Sequence, residues 1–376
     1  MFARALATVL VSIAFVSVAG CSVESEGEES ATGSGAEAIS FAPMGFARIT
    51  AAGGVVTQFN GSSATSPTVA HPSAGRYSVS FPALGGAGGH VQVVAEGANN
   101  YRCRVENWNS AVGGAEKVNV RCHRPDGTAV DAAFAVLFYR QTKPSTPLSF
   151  ATRGAYLWVN SAGGVDPNYD YNSSGYTNTV AKTGTGSYTV TITNARYANA
   201  GMMVTAYGTT GAQFCSIGSW SAGTNLTAYV RCWNASGALA DSAFTFAYGT
   251  NGPTLDQQGG HAWFDGSGTP AAYASGLGKI QGCSVANVSG SRSGSLATVV
   301  VQGDLGSWDA NPFRRASFVT AYGGASYCKP ESLSASGVAP SSTGSTTVRC
   351  YDAAGAILAT PVFTLTHVTS DASGPC

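Results

Sequence analysis

The side chains that could do chemistry in this chain are few and scattered. His71, His90, His123, His261 and His367 fall at unrelated places. A zinc site needs three or four converging ligands, and no such set of His, Cys, Asp and Glu is spaced to provide one. Asp131 and Asp241 each stand four residues after a glycine (Gly127, Gly237) and just before a strand-like run opened by Phe134 or Phe244. General acid–base work needs a second group with a separated pKa, and neither aspartate has a paired acid nearby. The expected role is an Asx-type turn, with the carboxylate bonding adjacent backbone N–H groups. The run Asp166-Pro167-Asn168-Tyr169-Asp170 offers oxygens of the kind calcium takes, but it lacks the spacing and terminal Glu of an EF-hand and reads as a polar turn. No G-x-S-x-G elbow, H-E-x-x-H helix, P-loop or dinucleotide fingerprint occurs. The expectation is therefore a chain with no catalytic residue, no metal and no cofactor.

Two segments look more like binding surface. One is an insertion, residues 303–316, in which Trp308, Asp309, Asn311, Phe313, Arg314 and Arg315 gather. Trp and Arg are enriched at the energetic centres of interfaces. The other runs from Asn168 to Tyr176, where Tyr169, Tyr171 and Tyr176 could grip sugar rings through their faces and hydroxyls.

The elements that must position these residues repeat. Cysteine pairs 103/122, 215/232 and 328/350 recur with leading cysteines 112 and then 113 residues apart. Each sits in matched text, such as "MVTAYG…QFCSIGSW…AYVRCWNASGALADSAF" in the second copy. A fixed period with matched text signals a repeat architecture, and function should lie where the copies differ. Arg121, Arg231 and Arg349 precede the second cysteine in every copy and so belong to the scaffold. Only 11% of residues are charged, Gly numbers 48, and short β-branched or aromatic runs alternate without helical periodicity. The second copy reads as eight strands near 156–160, 169–172, 179–182, 188–193, 202–207, 213–219, 227–233 and 244–248. If Cys215 opposes Cys232, then Ile217 opposes Val230 on the same face, while Phe214, Trp220 and Tyr229 load the other face. Both faces being bulky, an all-β, six-bladed propeller-like arrangement of four-stranded blades is expected. Three tandem β-sandwiches are the alternative.

The first twenty residues carry Arg4 and an apolar run, as a signal peptide does. They end in Val18-Ala19-Gly20-Cys21, which resembles the bacterial lipobox. The resemblance implies cleavage before Cys21, lipidation of that cysteine and attachment to a membrane. Ser22, in place of Asp, is similar to the outer-membrane sorting pattern of Gram-negative lipoproteins. Residues 21–40 read as the lipidated cysteine and a flexible acidic tether with five Glu. Repeats are expected over 41–147, 148–255 and 256–376. Removing Arg4 from 20 basic residues leaves 19, and removing the five tether Glu from 20 acidic residues leaves 15. That net of +4 is too weak to argue for nucleic acid. Of nine cysteines, eight remain for an oxidising compartment. Bridges within each copy are expected, together with a fourth between Cys283 and Cys376 that pins the C-terminus, free thiols there being the alternative. Each repeated bridge closes a loop of about 20 residues, worth roughly 3 kcal/mol.

The text "SGYTNTVAKTGTGSYTVTIT…VRCWNASGALADSAFTFAYG" resembles a repeat of secreted actinobacterial and myxobacterial proteins with no assigned activity. That resemblance implies extracytoplasmic location and a repeat fold. The combined expectation is a lipid-anchored envelope protein, non-catalytic, binding a glycan or a surface protein. A structural surface lipoprotein without a ligand, or an extracytoplasmic hydrolase, are the alternatives.

Overall fold

Alternation of inward and outward side chains, set by the two-residue period of a strand, builds the twenty-four strands found among the described residues. In β12 (Ser187–Ile192), for example, Tyr188, Val190 and Ile192 are buried while Ser187, Thr189 and Thr191 are half-exposed. The computed structural model describes residues 43–110, 114–144, 154–195, 200–249, 259–266, 275–276, 287–302, 315–336 and 343–369. The first unit holds β1 (Met44–Ile49), β2 (Val55–Asn60), β3 (Thr68–Ser73), β4 (Arg76–Phe81), β5 (His90–Ala95), β6 (Arg102–Ser110), β7 (Glu116–His123) and β8 (Phe134–Tyr139). The second holds β9 (Gly154–Val159), β10 (Val165–Asn172), β11 (Thr179–Gly184), β12, β13 (Gly201–Tyr207), β14 (Phe214–Ala222), β15 (Leu226–Trp233) and β16 (Ala243–Gly249). The third holds β17 (Gly259–Phe264), β18 (Ser275–Gly276), β19 (Asn287–Ser293), β20 (Leu296–Gln302), β21 (Arg315–Ala321), β22 (Ser326–Ser336), β23 (Thr343–Asp352) and β24 (Phe363–Thr369).

Each unit deals its strands into two four-stranded sheets by one rule. The first unit orders them β2-β1-β8-β5 and β3-β4-β7-β6, and the others copy it as β10-β9-β16-β13 with β11-β12-β15-β14, and β18-β17-β24-β21 with β19-β20-β23-β22. The two sheets of a unit share one apolar core: Val79, Val105, Val118, Phe134 and Val136 in the first, Leu157, Val190, Ile217, Val230 and Phe246 in the second. Each unit is thus a β-sandwich. The propeller is wrong, for a topological reason. A blade pairs four consecutive strands, whereas here the first strand pairs with the last, as Phe46 with Leu137, and the fifth also joins the last, as Val93 with Val136. Every sheet stays open, with none closed on itself.

The three sandwiches are joined as a ring. The Gly208 N–H donates to the Val105 carbonyl at 3.0 Å, and Gly323 repeats this contact on Ile217 at 2.8 Å. Gly97 of the first unit then repeats it on Pro330 of the third, at 3.0 Å. Each accepting carbonyl sits two residues after the first cysteine of its unit, where a β-bulge falls in all three copies: between Val105 and Asn107, Ile217 and Ser219, Pro330 and Ser332. A bulge interrupts ladder pairing and re-aims the strand, and it does so here at the point where the carbonyl serves the neighbouring unit. In the first joint the contact extends to a parallel pairing of β13 with β6, fusing two four-stranded sheets into one of eight. Outward faces of β5, β13 and β21 therefore meet other units rather than water. Val94, Met203 and Phe318 lie buried in one cluster with residues of all three units. Of the bulky groups expected on the second face of the cysteine hairpin, only Phe214 is covered, edge-on to Tyr327 of the third unit at 5.8 Å. Tyr229 is 43% exposed, and the bulge turns Trp220 to the core side, opposite Ala228.

Candidate functional site

Equivalent residues of all three units line a cavity of about 60 Å³ where the sandwiches converge. Val93, Val204 and Val319 line it, as do Val94, Thr205 and Thr320, and the three leading cysteines. The flanks of those cysteines break the pattern. Just before the cysteine stand Arg102, Phe214 and Tyr327, and just after it Arg104, Ser216 and Lys329. Period-two alternation sends both flanks to the face opposite the cystine. Three cations are thereby brought inside: Arg102, Arg104 and Lys329 are only 4%, 2% and 1% exposed.

Their partners are mostly neutral. The Arg102 guanidinium lies 4.4 Å from the Phe214 ring centroid and 4.8 Å from that of Tyr327, an arrangement in which ring faces attract the cation. Its Nη2 donates to the Pro125 carbonyl at 2.6 Å. Arg104 donates to Gln213 Oε1 at 2.8 Å and to the Thr210 carbonyl. Lys329 Nζ donates to Asn99 Oδ1 at 2.6 Å and to the Glu96 carbonyl at 3.5 Å. Among the described residues no carboxylate pairs directly with any of the three. Glu96 pairs with Arg48, Glu106 with Arg76 and Arg121, and Glu331 with Arg349. Arg102 Nε and Nη1 and Arg104 Nε find no protein acceptor among those residues. Burial disfavours the charged forms: it pulls Lys329 down to about 7 and Arg104 to about 10, the latter helped by the Arg121 charge. His123 beside them is held near 3, by burial first and then by the Arg102 and Arg104 charges.

The three joints differ in chemistry. At the first, Trp108 and Trp158 pack edge-on against Tyr207, each at 5.4 Å. At the second, Trp220, Trp263 and Tyr322 do the same at 5.1–5.9 Å. At the closing joint the same three positions are Leu333, Arg48 and Glu96. Arg48 Nε there donates to both Glu96 carboxylate oxygens, at 2.8 and 3.1 Å. Threonine bonds follow the same division. Thr245 donates to Val91 at 2.8 Å and Thr364 to Met202 at 2.7 Å, whereas the first unit has Ala135 at that position. Instead, Tyr327 and Tyr351 donate across the closing joint to the Asn100 and Ala98 carbonyls, at 2.5 and 3.0 Å.

The sequence-selected residues are dispersed by the fold. Tyr169 is half-buried and edge-on to Trp108 at 5.3 Å, and Tyr171 is buried, stacked on Tyr156 at 5.2 Å. Tyr176 is 51% exposed. Arg315 opens β21, is 6% exposed and donates to the Thr343 carbonyl. Trp308, Asp309, Asn311, Phe313 and Arg314 lie outside the described residues, as do Cys21, Cys283 and Cys376. Disulfides join Cys103–Cys122, Cys215–Cys232 and Cys328–Cys350. Asp131 and Asp241 do accept backbone N–H bonds, but from Gly75 at 2.7 Å and Gly186 at 2.8 Å, 56 and 55 residues upstream. They clamp a distant hairpin rather than form a local Asx turn. Gly186 must be glycine there: its φ is +61°, and a Cβ would stand 2.5 Å from the Cys232 carbonyl oxygen. Asp166 does make a local turn, accepting from Asn168 N–H at 2.9 Å. Among the described residues no three His, Cys, Asp or Glu side chains group as a metal site. Arg102, Arg104 and Lys329 belong to no motif; their only signal is that Arg102 is the one cation in an otherwise aromatic repeat column, while Arg104 and Lys329 share a column whose third member is Ser216. No protein-family model matches the chain, and no curated protein or solved structure matches it either.

Proposed function

We propose that the chain is a lipid-anchored protein of the bacterial cell envelope, held through Cys21, whose folded body is a non-catalytic binding module for a glycan or a surface protein. One observation carries the binding reading: Tyr176 is displayed on a loop that is otherwise tied down. Asn172 donates to Asn178 Oδ1 at 2.9 Å, Asn178 donates to Asp170 at 2.5 Å, and Ser174 donates to Asn172 Oδ1 at 2.6 Å and to the Thr193 carbonyl. Asn172, Ser174 and Asn178 are each at most 2% exposed, so the loop behaves as part of the core. The first unit has Ala64 four residues after its own loop asparagine, Asn60, where the second has Tyr176 after Asn172. A ring held ready on a rigid base loses little freedom on binding, which favours affinity. An exposed tyrosine face suits stacking on a sugar ring, with its hydroxyl free to bond. The anchor rests on the lipobox resemblance and the acidic tether.

Soluble residues 38–376, oxidised, should capture at least one envelope polysaccharide or surface protein saturably, and Tyr176→Ala should weaken that capture about tenfold, a loss of roughly 1.4 kcal/mol. Failure to capture any envelope component would replace this reading with a purely structural surface lipoprotein. For the anchor, labelled palmitate should enter the full chain in an expressing bacterium and not its Cys21→Ser variant; equal labelling would remove Cys21 from the proposal.

A further inference from the structure

We propose that the central cavity binds one small oxyanion (a carboxylate, sulfate or phosphate group) between Arg102, Arg104 and Lys329. Burying a charge without a counter-charge is strongly unfavourable, and three cations share this site with no direct carboxylate partner among the described residues. Ring faces offset part of that cost for Arg102 and, at the longer distance of 5.9 Å to Tyr351, for Lys329. The geometry leaves N–H groups to spare: Arg102 Nε and Nη1 and Arg104 Nε have no protein acceptor among the described residues. A guanidinium fork matches a planar or tetrahedral oxyanion. At about 60 Å³, the cavity exceeds the space a single water needs and suits a group of three to five heavy atoms. Tyr101 and Gln213 in the lining are half-buried, so the site is not sealed.

The site belongs to the ring and not to any one repeat. Arg102 and Arg104 come from the first unit and Lys329 from the third, so an anion would tie the closing joint together. In the second unit Phe214 and Ser216 replace the cations, which makes the site single and asymmetric. Lys329 faces the Glu331 charge on its own strand, the Glu96 carbonyl and carboxylate charge and Asn99 across the joint, Tyr351 at 5.9 Å, and Tyr101, Tyr327, Arg102 and Arg104 around the cavity. An arriving anion favours its charged form, so binding near neutral pH takes up a fraction of a proton.

Calorimetric titration of the full chain in mild detergent tests this, with sulfate, phosphate or acetate against chloride at fixed ionic strength. One oxyanion per chain should bind saturably, and comparing the three identifies the group preferred. Repeating the titration at pH 7.5 in buffers of different ionisation enthalpy should reveal proton uptake, a readout that needs no variant. Arg102→Phe, which installs the second unit's residue, and Lys329→Met should each weaken binding tenfold or more. Arg292→Met, exposed on β19 and away from the cavity lining, should leave it unchanged. The proposal is overturned if no oxyanion binds above chloride. It is equally overturned if binding proceeds without proton uptake, or if folded Arg102→Phe and Lys329→Met proteins bind as the parent does.

Discussion

Glu96→Tyr, which places at the closing joint the residue type of the other two, should open that joint selectively. In the parent, Arg48 and Glu96 are 19% and 8% exposed, so removing the carboxylate strands a mostly buried guanidinium. Breaking a buried pair from one side costs about 3–5 kcal/mol; the residual exposure of Arg48 argues for the lower end, about 3 kcal/mol. The most local reporter is the Gly97 amide, one residue away, whose bond to Pro330 closes the ring. Its hydrogen exchange should accelerate on the order of 100-fold if it exchanges through opening of this joint. The Gly208 and Gly323 amides report on the aromatic joints and should change little. Adding Arg48→Trp removes the stranded charge and supplies a ring pair worth about 1 kcal/mol. The double variant should then protect Gly97 to within about tenfold of the parent, a coupling of roughly 2 kcal/mol or more. If the double exchanges as fast as the single, or if all three glycines accelerate together, the three joints are not equivalent positions of one ring.

Acid should unfold the body early. Burial holds His90, His123 and His367 near 3, against about 6.5 in an unfolded chain. Since the folded values are depressed, their contribution is present above pH 6.5 and is lost as pH falls toward 3. With three protons taken up on unfolding, stability should drop by about 4 kcal/mol per pH unit between roughly pH 5.5 and 4; a flat urea midpoint from pH 7 to 4.5 would refute their burial. Replacing both Cys215 and Cys232 by Ala removes a bridge spanning 17 residues and should cost about 3 kcal/mol, read as a lower urea midpoint, and an unchanged midpoint would refute it. Small-angle scattering of residues 41–376 should give a radius of gyration near 20 Å, whereas sandwiches strung in a row would be distinctly longer.

The strands and the cystine register were legible because they depend on neighbours in sequence. Alternation in Tyr188, Val190 and Ile192 marks a strand wherever it ends up, and pairing Cys215 with Cys232 fixes Ile217 against Val230. Sheet membership was not legible for the converse reason. A strand with two apolar faces reads the same in a blade, a sandwich or a ring, and the pairing of β1 with β8 is decided by residues some ninety positions apart. The Asx expectation for Asp131 failed in the same way, since a local turn was the only partner a linear reading could offer. Tyr171 looked like binding surface because its neighbours are polar, yet Asn172 and Ser174 beside it are buried and satisfied. Exposure separates Tyr176 from Tyr171, and alternation through a tied-down loop does not predict it.

One polar joint among three follows from what a ring of repeats must avoid. Joints 1–2 and 2–3 form between chain neighbours, whereas the closing joint unites Gly97 with Pro330, so its loop-closure entropy is the largest of the three. A head-to-tail contact that fails to close within one molecule propagates into open assemblies. If all three joints were the same aromatic set, the first unit's free face would accept the outgoing face of any unit in any copy of the chain. Charge at Arg48 and Glu96, with Leu333 at the facing repeat position and the Tyr327 and Tyr351 hydroxyls bonded across the joint to the Asn100 and Ala98 carbonyls, makes that face fit the third unit and disfavours a tryptophan-bearing one. Lys329, bonded across the same joint, adds a second polar condition. The Arg48→Trp/Glu96→Tyr protein should therefore close to within about tenfold of the parent's firmness yet close less selectively. In sedimentation after refolding at rising concentration it should yield dimers and larger species where the parent stays monomeric. A monomeric double variant across that range would show that sequence distance alone, and not joint chemistry, selects closure within one chain.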